Sequence, residues 1–276
     1  MIIDSHCHLD FSKFRDAGFK NYDEQYHDMQ AILKRAKDNE ITHILAIGTT
    51  LQDSVENISV SRGTLLNESP QIFAAVGIHP DYAESTLVDY SSQNAKKLLS
   101  DMTKESEVVC IGECGLDYRN GEDHKKEQLL IFEMQCELSA ETNLPLEIHS
   151  RYAENDTIGV LKNGNYNGVI HCFSSSLEFA KQALDLGFLI SFSGIVTFKN
   201  AKEIQKVAKY VPDDMFLIET DSPFLAPTPF RGKVNEPAFV KQTGEFLANL
   251  RETTVENVYR NTAQNFFKLF DKAIAR

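Results

Sequence analysis

Eight short runs of β-branched and apolar residues recur along this chain with helical patterns between them, the signature of repeated βα units. The runs fall at residues 2–4, 44–47, 72–76, 108–111, 146–148, 169–170, 188–192 and 215–218. Between the first two, residues 22–39 place Met29, Ile32, Leu33 and Ala36 at helical spacing and leave Lys34, Arg35 and Asp38 for solvent. The same reasoning predicts helices near 53–66, 91–104, 124–142, 154–161, 176–186 and 201–209, with patterns at 237–250 and 254–270 closing the ring. Eight such units in 276 residues match an α/β fold of the (β/α)8 TIM-barrel type. No linker or compositional break divides the chain, so residues 1–276 are read as one domain. A doubly wound open sheet would show the same alternation, and it is the placement of polar residues that favours the barrel.

The first strand runs into Asp4-Ser5-His6-Cys7-His8, where alternation points Asp4, His6 and His8 together and Cys7 away. A lone His-x-His also fits a hydrogen-bonded pair. Other strand ends, however, carry the same kind of residue: Glu113 in Gly112-Glu113-Cys114-Gly115-Leu116-Asp117, His149 in Glu147-Ile148-His149-Ser150-Arg151, His171 in Ile170-His171-Cys172-Phe173-Ser174 and Asp221 in Glu219-Thr220-Asp221-Ser222-Pro223. In a barrel these ends converge on one mouth, so the active site is expected at the C-terminal ends of the strands. Four histidines and two carboxylates suffice for two divalent ions bridged by a carboxylate about 3.5–4 Å apart.

Taken together these motifs resemble the TatD family of metal-dependent hydrolases, within the wider amidohydrolase-like barrels. The similarity extends to Gly77-Ile78-His79-Pro80 and Asn235-Glu236-Pro237 and spans nearly the whole chain. The resemblance implies a TIM-type barrel and metal-dependent phosphodiester hydrolysis, usually deoxyribonuclease activity and in some members 3′→5′ exonucleolytic. It assigns His6, His8, Glu113 and Asp221 to one metal position and Glu113, His149 and His171 to the other, with Glu113 as bridge. The chemistry agrees, because a carboxylate has two oxygens whereas an imidazole offers one free nitrogen. An aspartate beside a metal-bound water can accept its proton, so Asp221 is read as ligand and general base. The resemblance places His79 against the scissile phosphate, the alternative being a structural histidine. Arg151 suits a bidentate phosphate contact, or else a salt bridge to Asp117, Asp156 or Glu147. Asp4 either orients His6 or makes a purely structural hydrogen bond.

The remaining features are read as structural. Cys114 and Cys172 flank ligand positions but pack as small buried groups, and the five cysteines form no C-x-x-C framework. Tyr118 and Arg119 could stack a base or hold a phosphate but are read as packing, Phe266, Phe267 and Phe270 as helix core, and the mixed charges of 122–127 as a solvated helix start. His27, His43 and His124 have no ligand context. Two departures from the family pattern touch the rim: a longer loop at 19–25, and Val234 where relatives often carry a polar residue. Arg231 and Lys233 could substitute for that contact.

The 28 Lys and Arg against 40 Asp and Glu leave a net charge of −12, which excludes a broad basic face that coats nucleic acid but leaves room for an enzyme engaging a strand end. No apolar run reaches membrane-spanning length and no signal peptide precedes Asp4, so a cytoplasmic protein is expected. The expected cofactors are two divalent ions, Mg, Mn or Zn, and the expected partner is a DNA or RNA end, with no membrane or protein partner inferred. Two other functions fit the ligand set: hydrolysis of a cyclic amide, lactone or ester, including an aminoacyl-tRNA ester, and a non-catalytic scaffold stabilised by metal. Glu113 stands where many binuclear amidohydrolases use a carboxylated lysine, which favours the nuclease-like branch.

Overall fold

The computed structural model describes residues 1–9, 28–63 and 69–275. Eight parallel strands follow one another around a single sheet in sequence order: β1 Ile2–Cys7, β2 Ile41–Ile47, β3 Gln71–Val76, β4 Val108–Asp117, β5 Leu146–Arg151, β6 Gly168–Ile170, β7 Leu189–Phe192 and β8 Phe216–Ile218. The ring is drawn shut past the end of β8. Cys7 bridges Ser222 in parallel, His8 N–H donates to Ser222 O (2.9 Å) and Asp221 N–H donates to His6 O (3.0 Å). This is the TIM-barrel architecture expected from the alternation.

Helices fill the crossovers: α1 Met29–Asp38, α2 Leu51–Gly63, α3 Ala83–Asp89, α4 Ser92–Met102, α5 Lys125–Thr142, α6 Glu154–Leu161, α7 Leu177–Asp185, α8 Lys202–Tyr210, α9 Val240–Leu250 and α10 Val255–Leu269. Their starts follow capping chemistry. The Asp28, Ser91, Ser176 and Thr254 side chains each accept a backbone N–H from the first turn of α1, α4, α7 and α10. Parts of the expected helices at 22–39 and 53–66, the loop at 19–25 and His27 lie outside the described residues.

Strand alternation divides the core in two. Ile3, Leu45, Phe73, Val169 and Leu217 cluster with Phe266 and Phe270, while Ile2, Ile44 and Ile72 cluster with helix residues such as Leu33, Ile58 and Leu99. The second face is therefore the outward one, and Phe266 and Phe270 are core residues as expected. Val234 is buried and presents no polar group at the rim. Asp4 completes the closure: Thr220 N–H and Oγ1–H donate to its two oxygens at 2.8 and 2.6 Å. Of its two readings, the structural one holds. The His6 ring is held instead by Glu147, whose Oε1 lies 3.0 Å from its Nδ1.

Candidate metal centre

Glu113 sits in β4 with its side chain almost fully enclosed, and its two oxygens face two different groups of imidazoles. Oε2 lies 3.9 Å from His6 Nε2 and 3.8 Å from His8 Nε2. Asp221 Oδ1 stands on the same side, 3.7 and 3.6 Å from those nitrogens. Oε1 lies 2.8 Å from His171 Nε2, 2.9 Å from His149 Nδ1 and 3.5 Å from His79 Nε2. All seven of these side chains line one cavity or its floor, and Arg151 is exposed at its margin. Every site residue predicted from the sequence is thus brought to one end of the barrel.

The imidazoles are held by acceptors on their far nitrogens. His6 Nδ1 is 3.0 Å from Glu147 Oε1, His8 Nδ1 is 3.3 Å from Ile47 O and His149 Nε2 is 2.9 Å from Asp117 Oδ2. His171 Nδ1 lies 3.4 Å from Glu219 Oε1, which itself accepts the Cys172 N–H at 2.7 Å. The His6 and His171 rings stack in parallel at 3.9 Å. This packing turns one nitrogen of each ring up toward Glu113 and the other down toward the buried Glu147 and Glu219. Hydrogen bonding on the far nitrogen is the arrangement by which proteins fix the tautomer of a metal-binding histidine.

Glu147, Glu219 and Asp117 were not singled out from the sequence as histidine partners. The signal was present for Glu147, which stands two residues before His149 on the same face of β5. Asp117 also receives the Arg119 N–H (2.8 Å) and pairs in register with Arg151 across β4 and β5. Tyr118 hydrogen-bonds Asp156 beneath Lys125, a packing role as read from the sequence.

Electrostatics separate these groups. Burial alone would raise the Glu113 carboxyl, but the charge of His171 and the hydrogen bonds from His149 and His171 hold it well below the usual range. Burial opposes protonation of His171 and His149 as well. The Glu113 charge outweighs it at His171, as do the hydrogen bonds of Asp117 and Glu113 at His149, so both rings hold their protons more tightly than free imidazole. Burial, reinforced by the charge of His171, pushes His6 well below the ordinary value. It also drives Glu147 well above its own, helped by Glu219. Burial brings His79 down to about 3, so this ring is neutral at physiological pH. Its Nδ1 accepts the Asp81 N–H at 3.1 Å, which leaves the hydrogen on Nε2, the nitrogen facing the cavity.

The donor set fits divalent ions. Imidazole nitrogens and carboxylate oxygens suit Zn and Mn, and the carboxylates suit Mg. His6 Nε2 is buried without a hydrogen-bond partner while aimed between Glu113 and Asp221, as a nitrogen kept for a cation would be. Residues His6, His8 and Glu113, with Asp221 beside them, could hold one ion, and Glu113 with His149 and His171 another. His79 also lies near Glu113 and His149. Its neutral Nε2–H, however, makes it a hydrogen-bond donor toward the cavity rather than a ligand.

Two consequences are measurable. Because His149 and His171 hold protons more tightly than free imidazole, and a cation must displace those protons, metal affinity should rise as the pH is raised from below the ordinary imidazole value of about 6.5. Calorimetric titrations in buffers of different protonation enthalpy should report that release, and pH-independent affinity would contradict it. Glu147→Gln replaces the carboxyl group that holds His6 Nδ1 and should weaken metal binding about 10- to 100-fold with little change in the far-ultraviolet circular dichroism. Unchanged affinity would remove Glu147 from its positioning role.

Comparison with known proteins agrees with this picture. The sequence matches the model of the family described as "TatD related DNase" over residues 3–271. It is 37% identical to an uncharacterized metal-dependent hydrolase of Buchnera aphidicola subsp. Baizongia pistaciae, across 98% of this chain and 96% of that one. It is also 37% identical to the uncharacterized metal-dependent hydrolase YcfH of Escherichia coli (strain K12), across 98% and 95%. The crystal structure of YJJV, a TatD homologue from Escherichia coli K12, superposes with a TM-score of 0.83 at 25% identity, covering 98% of each chain. With a barrel whose strand ends gather five histidines around Glu113, and with these relatives along its length, the chain belongs to the TatD family of metal-dependent hydrolases.

Proposed function

We propose that the chain hydrolyses phosphodiester bonds at the end of a nucleic-acid strand, DNA foremost and RNA second, as a 3′→5′ exonuclease using two divalent ions. The observation that carries this reading is the division of Glu113, one oxygen toward His6 and His8 and the other toward His149 and His171. Ions bound on the two sides of that carboxylate, Mg, Mn or Zn, would acidify a coordinated water and offset phosphate charge.

The protein's own groups supply the rest. Asp221, 9% exposed and open to the cavity, accepts the proton of the attacking water. His79 donates from Nε2 to a phosphate oxygen, a contact that its neutrality keeps independent of pH near 7. Arg151 extends from the end of β5 at the margin, where a guanidinium grips a second phosphate in bidentate fashion. With a net charge of −12 the outer surface repels long duplexes, so binding concentrates on this mouth and weakens with salt.

The test is a panel of end-labelled single-stranded DNA, duplex DNA, RNA and cyclic amide or lactone substrates, with Mg2+, Mn2+ and Zn2+ added to metal-free protein. Metal-dependent release of mononucleotides from a 3′ end is the expected result. Turnover of the amide or lactone with every nucleic acid left intact would overturn the nuclease reading.

A further inference from the structure

The cavity over Glu113, about 580 Å³, has two chemically different walls. Arg119 and Arg151 stand at the ends of β4 and β5, whereas Phe224, Leu225 and Ile195 line the side formed by the segments that follow β7 and β8. In a ring ordered β1 to β8, β4 and β8 are four strands apart, so these walls face each other across the metal ligands.

Phe224 is 40% exposed, and a single exposed aromatic is ordinary on a protein surface. What distinguishes this one is how firmly its backbone is fixed. Its N–H donates to Asp221 O at 3.0 Å and its carbonyl accepts from buried Asn235 Nδ2 at 2.6 Å. The next residue, Leu225, is packed so closely on Gly194 that a Cβ there would stand 2.1 Å from Leu225 O. The ring is thereby presented to the cavity with its centroid 6.4 Å from that of His8 at 72°.

We propose, on the phosphodiesterase reading above, that Phe224 is a stacking platform for a nucleobase beside the scissile phosphate, with Arg119 and Arg151 taking the neighbouring phosphate on the opposite wall. A planar base stacks on an aromatic face whatever its sequence, and an anion belongs against guanidinium groups. The arrangement selects substrates with a base on one side of the scissile bond and a further phosphate on the other, as a strand end has.

The experiment measures kcat/KM of the metal-loaded enzyme on a short oligonucleotide and on counterparts in which each base flanking the scissile phosphate is replaced in turn by an abasic sugar. In the wild type one abasic position should be a poorer substrate than the intact strand. Phe224→Ala and Phe224→Leu should shrink that preference about 5- to 150-fold, mainly through KM, and Phe224→Trp should retain it. Preference undiminished in the alanine and leucine variants, or lost equally in the tryptophan variant, would overturn the platform. Failure of the wild type to cleave any phosphodiester would overturn the nuclease reading instead.

Discussion

Asp221→Asn is expected to lower phosphodiester turnover by about three orders of magnitude while leaving the fold intact, since general-base catalysis contributes about 10²- to 10⁴-fold. The side chain reaches the cavity from the segment after β8, with Oδ1 3.7 Å from His6 Nε2 and 3.6 Å from His8 Nε2. Its backbone takes a left-handed conformation, φ +56°, fixed by the hydrogen bond to His6 O. Asparagine is nearly isosteric and keeps an oxygen for a cation, but it cannot take up a proton. The loss should therefore fall on kcat with metal still bound. Near-wild-type kcat at full metal loading would show that another group accepts the proton.

Gly115→Ala should be the most damaging single methyl in the barrel. Gly115 has φ +132°, a region that side chains rarely enter, and a Cβ there would stand 2.0 Å from His149 O on β5. Strain and overpacking together give a destabilisation of about 3 to 5 kcal/mol. Because β5 must move aside, His149 should also leave Glu113 and Asp117, so metal binding falls with stability. Gly159 in α6 is the contrast: a Cβ there meets nothing within 4 Å, and Gly159→Ala should stabilise by about 0.5–1 kcal/mol. Urea midpoints for the two variants check the pair. A Gly115→Ala protein as stable as wild type would contradict the packing between β4 and β5.

The barrel was readable because its strands contain short apolar runs and several crossover helices, α1, α4 and α8 among them, carry a periodic apolar face. Helix α3 was not, since Val88 is largely exposed and the segment has little apolar face to read. The convergence of the candidate ligand histidines was legible because they stand at strand ends, where alternation and barrel geometry say what meets. The partners of those histidines were harder. Glu147 reaches His6 from β5 to β1, strands that are not neighbours in the sheet, so the contact exists only once the ring has closed. Asp4 shows the converse: His6 stands only two residues on, but the Asp4 carboxylate accepts from the backbone and hydroxyl of Thr220, 216 residues away.

The central claim is that Glu113 divides two ions between two groups of ligands. Anomalous diffraction from crystals of the protein soaked with Mn2+ tests it most directly. The expected map has two peaks about 3.5–4 Å apart, one against His6, His8 and Asp221 and the other against His149 and His171, with Glu113 touching both. A single peak away from Glu113, or one in the buried group of His6, Glu147, His171 and Glu219 beneath it, would contradict the account.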